Sequence, residues 1–352
     1  MEDYSSKVKP TRVIYPVLIG LVAASWLLIR NFDKDAFGFF TWTWAAALWL
    51  LVAVLMMVLR DLAYIIRIRV LTDGQLGWKQ AFHVIMLWEF SSAVSPSVVG
   101  GAGPAIYFLY KEGLNSGKST AVVLTSIFLD EIFFVLLVPV MYWIFQDHIF
   151  PIDSYGMATE IQWMLIFGYI VILAYTLLLA YALFINPYSF KWLISRIFMI
   201  PGLRKRRLRA RKLANQLILT SQQIKGKSVF YWLKAFLSTS ISWFARYGVV
   251  NFIFMAFFFN TLGIFENALI IGRQLTMWII LLVSPTPGGS GVAELIFSDF
   301  LGDLIPNIAY AVPLALLWRL ISYYPYLFIG AFILPGWIKK VYLRSRIYKK
   351  IH

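Results

Sequence analysis

Long apolar runs constrain this chain more than any other feature. Stretches of about 20 to 30 apolar residues, enough helix to cross ~30 Å of hydrocarbon, recur from Val13 nearly to the C-terminus. Charged residues make up only 14% of the 352 and hydrophobic ones 60%, too few polar groups to cover a water-exposed globule. A soluble enzyme is excluded. The chain has no cysteine, which removes thiolate catalysis, cysteine zinc sites and disulfides. Its three histidines, His83, His148 and His352, are too scattered for a metal cluster or a Ser-His-Asp triad. No cofactor is expected, and no ATP-binding loop of the Walker pattern is present.

Apolar runs bounded by polar or Gly/Pro-rich stretches predict long helices near 13–30, 41–70, 117–146, 160–186, 229–260 and 306–336. The first is preceded by basic residues, as a secretory signal would be. It lacks a clear small-residue cleavage site and more spans follow, so it is read as a membrane helix. Two further runs, 78–95 and 264–284, end in SSAVSPSVVGGAGPA (Ser91 to Ala105) and SPTPGGSGVA (Ser284 to Ala293). Irregular backbone is tolerated at membrane depth only where protein or a water-filled cavity surrounds it. Both runs are therefore read as re-entrant hairpins.

Charge tests this topology. With the hairpins returning to the side they came from, 1–12, 60–79, 111–118, 187–228 and 337–352 share one side and hold 26 of the 32 Lys and Arg. The positive-inside rule makes that side the cytoplasm, with both termini in it, in a multi-pass protein of the cell membrane. The opposite loops hold two basic residues and eight of the 17 acidic ones.

The hairpin tips resemble each other, V-S-P-S-V-V-G-G-A-G-P-A from Val94 against V-S-P-T-P-G-G-S-G-V-A from Val283, and long helices flank both in the same order. The copies start on opposite sides. The expected fold is an all-α polytopic membrane protein of about eight membrane-entering helices in two inverted-topology repeats. The chain is then one transmembrane domain, 1–352, with a first repeat at 41–146, a basic cytoplasmic amphipathic linker at 187–228 and a second repeat at 229–336. Inverted repeats with broken helices place a binding site near the midplane, which points to transport. Ser95, Ser97, Gly100, Gly101 and Gly103 in one tip, and Thr286, Gly288, Gly289, Ser290 and Gly291 in the other, let backbone approach a ligand. Helix N-termini after Gly103 and Gly291 would favour a phosphate or carboxylate.

Eight ionisable residues fall in predicted spans: Glu89, Asp130, Glu131, Glu294, Lys234, Arg246, Arg273 and Arg319. Each would cost about 2.5 to 3.5 kcal/mol or more facing lipid alone, so they are expected to pair or to line a polar cavity. Glu89 lies about 10 Å before the first tip and Glu294 in the first turn after the second, where it also suits the helix dipole. Both are candidate proton or headgroup sites. Asp130 and Glu131 point about 100° apart, and Asp130 is taken as the inward one. Aligning the two tips sets Glu131 opposite Arg319, an acid and a base that would suit a zwitterionic or anionic headgroup. Arg273 lies about 18 Å before Pro285, nearer the outer face. Arg204 to Lys212 carries seven basic residues in nine. Beside a membrane, this run is expected to bind anionic leaflet lipids rather than nucleic acid.

The stretches PTPGGSGVAELIFSDF (Pro285 to Phe300), LALLWRLISYYPYLFIGAF (Leu314 to Phe332) and SPSVVGGAGPAIYFLYKEG (Ser95 to Gly113) resemble the flippase-like integral membrane family. That family is also described as the lysylphosphatidylglycerol synthase transmembrane region. The resemblance spans roughly 13–340 and implies movement of a phospholipid or lipid-linked headgroup, plausibly anionic, zwitterionic or aminoacylated, between leaflets. It marks Gly288, Gly289, Gly291, Glu294, Arg319 and Asp130 as functional positions. The soluble aminoacyl-transfer domain of bifunctional members does not follow here, so a stand-alone membrane domain is expected. Relatives also often carry a basic residue where this chain has Ile127. Alternatives are a membrane-embedded lipid-modifying transferase, with Glu294 or Asp130 as base, and a secondary transporter of a small polar solute. A homo-oligomer is compatible with all three.

Overall fold

The computed structural model describes residues 42–95, 101–150, 158–186, 226–259, 262–282, 289 and 292–351, with isolated positions between 188 and 224. The first predicted helix, 13–30, and most of the basic linker lie outside the described residues. Among the described residues, ten α-helices follow in order: α1 Trp44–Leu71, α2 Trp78–Val94, α3 Ala102–Lys111, α4 Ser116–Phe145, α5 Ala158–Ala180, α6 Val229–Phe258, α7 Ile264–Leu282, α8 Val292–Leu301, α9 Ala311–Ser322 and α10 Tyr324–Ile351. Five stretches among them are long and apolar enough to cross a membrane: Trp44–Leu71, Ser116–Phe145, Gln162–Ile185, Val229–Phe258 and Ile308–Val341.

Local chemistry sets the helix starts. Thr43 caps α1 by accepting from the Ala46 N–H at 3.1 Å, and Asn115 caps α4 by accepting from Lys118 N–H at 2.8 Å. Ser228 caps α6 through the Tyr231 N–H at 3.3 Å. Apolar side chains face outward along stripes, Leu48, Leu51, Leu55, Leu59, Leu62 and Ile66 on α1 and Leu233, Leu237, Ile241 and Phe244 on α6. Their spacing of three or four residues makes one lipid-facing side per helix, while arginines and carboxylates lie inside. An apolar exterior over a polar interior is what a multi-pass membrane protein requires.

The long helices α1 and α6 pack together, with Ser242 donating to the Arg60 carbonyl at 2.9 Å, and Ala53, Val249, Val250, Ile253 and Phe254 form the buried centre. Helices α2 and α3 form a hairpin whose open ends meet. Gln80, in the first turn of α2, donates to the carbonyl of Glu112, just past α3, at 3.2 Å. At the closed end, a Cβ on Gly101 would overlap the Ser92 hydroxyl and come within 3.1 Å of Trp88, so only glycine lets the arms approach there. Helices α7 and α8 run back on each other likewise, since Arg273 of α7 donates to the Phe300 carbonyl of α8 at 2.8 Å. Both returning helices, α3 and α8, are ten residues long.

Two expectations are corrected. The long helix predicted over 306–336 is broken, with α9 ending at Ser322, Tyr323 at φ −123° and α10 starting at Tyr324. Pro325 explains the break, because it has no N–H for the Ile321 carbonyl and its ring clashes with that turn. The helix expected over 41–70 runs to Leu71, and Arg60 and Arg67, counted among the charges of cytoplasmic segment 60–79, are instead buried within it. Carboxylates from other helices make that burial tolerable.

Candidate functional site

Three successive residues on one stripe of α1 organise the interior: Arg60, Tyr64 and Arg67 lie at helical spacings of four and three and face the bundle. The Tyr64 ring lies between the two guanidinium groups, 4.7 Å from that of Arg60 and 4.5 Å from that of Arg67. Arg60 is fully buried. It donates to Asp61 at 2.9 Å and its other terminal nitrogen lies 2.6 Å from Glu89 of α2, a close ion pair without hydrogen-bond alignment. Tyr326 of α10 donates to the Asp61 carboxylate at 2.9 Å. Arg67 donates to Asp130 of α4 at 2.5 Å and to Thr239 of α6 at 3.2 Å, and the Trp243 indole N–H donates to the same Asp130 oxygen at 2.8 Å.

A second charged pair joins this group. Arg319 of α9 donates to Glu294 of α8 at 3.2 Å and lies 3.8 Å over the Tyr323 ring. At the helix break, Tyr323 donates to the carbonyl of Ala93, at the closed end of the first hairpin, at 3.0 Å. Tyr326 is one turn further and reaches Asp61. Polar contacts therefore run from Glu294 through Arg319 to Tyr323, and from Tyr326 through Asp61, Arg60, Tyr64 and Arg67 to Asp130, the two stretches joined by the backbone bond from the Tyr326 N–H to the Tyr323 carbonyl at 3.2 Å. Six of the helices contribute a charged or aromatic member of this network besides α1. Such an assembly persists in a bilayer only because each charge meets its counterpart, and it links α2 of one hairpin to α8 of the other.

Of the sequence-predicted residues, Glu89, Asp130, Glu294 and Arg319 join this network. Arg319 pairs with Glu294 of α8 rather than with Glu131. The adjacent carboxyls diverge as helix geometry requires, and one Glu131 oxygen is buried without a hydrogen-bond partner among the described residues. Arg273 is elsewhere. Through its bonds to Asp303 and the carbonyls of His148, Phe150 and Phe300, it ties the middle of α7 to the end of α8 and to the segment just past α4. Ser95 caps the end of α2, Gly101 precedes α3 and Gly103 lies in its first turn. Gly289 has φ +70°, a conformation glycine adopts without strain, and its carbonyl accepts from the Ala293 N–H at 2.8 Å. Ser97, Gly100, Thr286, Gly288, Ser290 and Gly291 lie outside the described residues.

Sequence reasoning missed Arg60, Asp61, Tyr64, Arg67, Trp243 and Tyr326. The available signal was the spacing of Arg60, Tyr64 and Arg67 on one face of an otherwise apolar run. It also set aside Arg246, which lies with its guanidinium 5.5 Å over the Trp243 ring. None of the ion pairs found among the described residues includes it. Glu112 was missed too: its carboxylate is buried between α2, α3 and α10, accepting from Trp337 at 2.7 Å and Gln80 at 3.1 Å with Lys340 at 3.5 Å.

Residues 13–330, which include every member of the network, match the family described as the lysylphosphatidylglycerol synthase TM region. The chain belongs to that family. Within the lysylphosphatidylglycerol synthase TM region family, the chain is 25% identical over 306 residues to a UPF0104 membrane protein of Archaeoglobus fulgidus. The similarity covers 82% of this chain and 88% of that relative, so the two share a membrane domain along nearly their whole length. No solved structure matches the chain.

Proposed function

We propose that this protein moves a phospholipid or lipid-linked molecule with an anionic, zwitterionic or aminoacylated headgroup between the leaflets of the cell membrane. The observation that carries this reading is the network from Glu294 to Asp130, which places arginines and carboxylates in the interior of a bundle whose exterior is apolar. In the proposed arrangement, α2–α3 and α7–α8 are re-entrant hairpins of two inverted repeats within eight membrane-entering helices. The headgroup passes between them while its acyl chains stay in lipid. Membership in a family named for a phospholipid synthase supports a lipid substrate. Arg319 would take the phosphate and Glu294 or Asp130 a cationic headgroup substituent, each exchanging its protein partner for the lipid.

We assign transport rather than covalent chemistry, with both termini cytoplasmic. A dipolar network suits binding and release of a charged headgroup, since each ion pair can open to admit it and close behind it. Movement is driven by the lipid gradient or by protons.

Headgroup-labelled phospholipids in reconstituted proteoliposomes, read with a membrane-impermeant quencher, test the proposal. Wild type is expected to expose inner-leaflet label, and Glu294→Gln and Arg319→Gln to slow this about tenfold or more, the loss of one charge-assisted contact in a transport intermediate. Equal rates in protein-free vesicles and wild type, with or without a pH gradient, would overturn it. Covalently altered label would favour a transferase instead.

A further inference from the structure

A separate charged cluster lies where the end of α1 meets the starts of α4 and α6. Asp73, in the turn after α1 at φ +54°, holds two lysines on different oxygens, Lys118 at 2.9 Å and Lys227 at 2.5 Å. Behind them is a cavity of about 250 Å³ including its open mouth, lined also by Leu71, Val122, Thr125 and Tyr231. Its enclosed end has room for about one water-sized group, so only the tip of a ligand enters.

Thr125 is one of the cavity's walls. It is 1% exposed and lines the cavity, and its hydroxyl is buried without a hydrogen-bond partner among the described residues. Earlier in α4, Ser119 and Thr120 donate to carbonyls four residues back at 2.9 Å, whereas the Thr125 hydroxyl does not. A buried donor left open in this way wants an acceptor. Two ammonium groups against one carboxylate leave a net positive charge beside it. Apart from the Tyr231 phenol, the remaining lining is apolar, and the cluster sits at helix ends, where a bilayer surface would lie.

We propose that this cavity binds the phosphodiester of an anionic phospholipid from the adjacent leaflet. One phosphate oxygen enters the enclosed end and accepts from Thr125, Lys118 and Lys227 hold the remaining charge, and the glycerol end rests on the apolar lining. Asp73 occupies the lysines when no phosphate is present. This site stands independently of translocation, because binding here requires no movement between leaflets. It differs from the basic run Arg204 to Lys212, which attracts anionic lipid by charge alone.

Free phosphate offers the same oxygens, so the test has two arms. The purified full chain is titrated with phosphatidylglycerol, with phosphatidylcholine as control, and separately with inorganic phosphate, and bound species are counted by native mass spectrometry. Phosphatidylglycerol affinity is expected to fall about tenfold in the Lys118→Gln/Lys227→Gln double variant, as for loss of two charged donors. It should fall several-fold in Thr125→Val, which keeps the shape of the side chain and so the fold. It should rise in Asp73→Asn, which frees both lysines. The basic run is common to all variants, so differences between them report the cavity. Unchanged lipid affinity in Thr125→Val and Asp73→Asn would reduce the cluster to an ion bridge over a water and overturn the proposal. Inorganic phosphate that binds with the same variant profile and displaces phosphatidylglycerol would overturn its lipid part.

Discussion

Arg67 and Asp130 are 63 residues apart in sequence and meet at 2.5 Å, with the Trp243 indole on the same carboxylate oxygen. Three helices, α1, α4 and α6, are thereby fixed at one depth by one carboxylate.

Removing either partner leaves an uncompensated charge inside the bundle. Arg67→Gln and Asp130→Asn are each expected to destabilise by about 3 kcal/mol, seen as a lowered thermal midpoint in detergent, and Arg67→Met with Asp130→Leu to recover much of it. Equal losses in single and double variants would mean that the two residues act separately.

Arg319 stacks on Tyr323 as well as pairing with Glu294. Lysine keeps the charge but not the flat guanidinium. Arg319→Lys is therefore expected to fold normally yet move labelled lipid about tenfold more slowly, and wild-type rates would reject the stacking role.

Arg246 has no ion-pair partner among the described residues and rests on Trp243. Arg246→Gln breaks no direct ion pair but removes a charge that acts on Glu89 of α2, so it is expected to destabilise less than Arg67→Gln, by about 1 to 2 kcal/mol. If Arg246 meets the headgroup, lipid movement slows all the same. Paired melting and transport assays separate the two effects.

Gly330 of α10 faces Phe90 of α2 so closely that an added Cβ would overlap the Phe90 Cβ and the root of its ring. Gly330→Ala is expected to destabilise by about 1 to 3 kcal/mol through overpacking, and Phe90→Leu in the same chain not to relieve it, because leucine keeps the Cβ and Cγ that the new methyl meets. Full recovery in the double variant would place the strain on the outer ring instead.

Acid should act on Asp73. Burial alone raises its carboxyl, but hydrogen bonds from Lys118 and Lys227 outweigh that and hold it below the ordinary carboxylate value. With the folded value depressed, its contribution to stability is complete above about pH 4 and is lost as pH falls through the folded value. The thermal midpoint of wild type should therefore drop towards that of Asp73→Asn below about pH 4. Parallel curves for the two proteins across that range would exclude the effect.

Hydropathy made the spanning helices legible, because runs such as 44–59 of α1 carry only apolar side chains. It could not distinguish an arginine at a helix end from one paired inside, so Arg60 and Arg67 read as loop charges. Their carboxylates, Glu89 and Asp130, were visible as expensive charges, but their partners depend on which helices pack together, and no local pattern encodes that. Glu294 and Arg319 were legible singly, while their pairing needed the turn from α8 to α9. Pro325 carried the signal for the break at Tyr323, overlooked in a run otherwise apolar enough to continue.

That break is one joint bearing on both hairpins. Tyr323 holds the Ala93 carbonyl, Tyr326 the Asp61 carboxylate, and Arg319 lies over the Tyr323 ring, all within two turns of Pro325. Rotating α10 about this joint would pull on the end of α2 and, through Arg319, on Glu294 of α8. Under the proposed translocation, a single crank would then serve both hairpins in place of two independent gates.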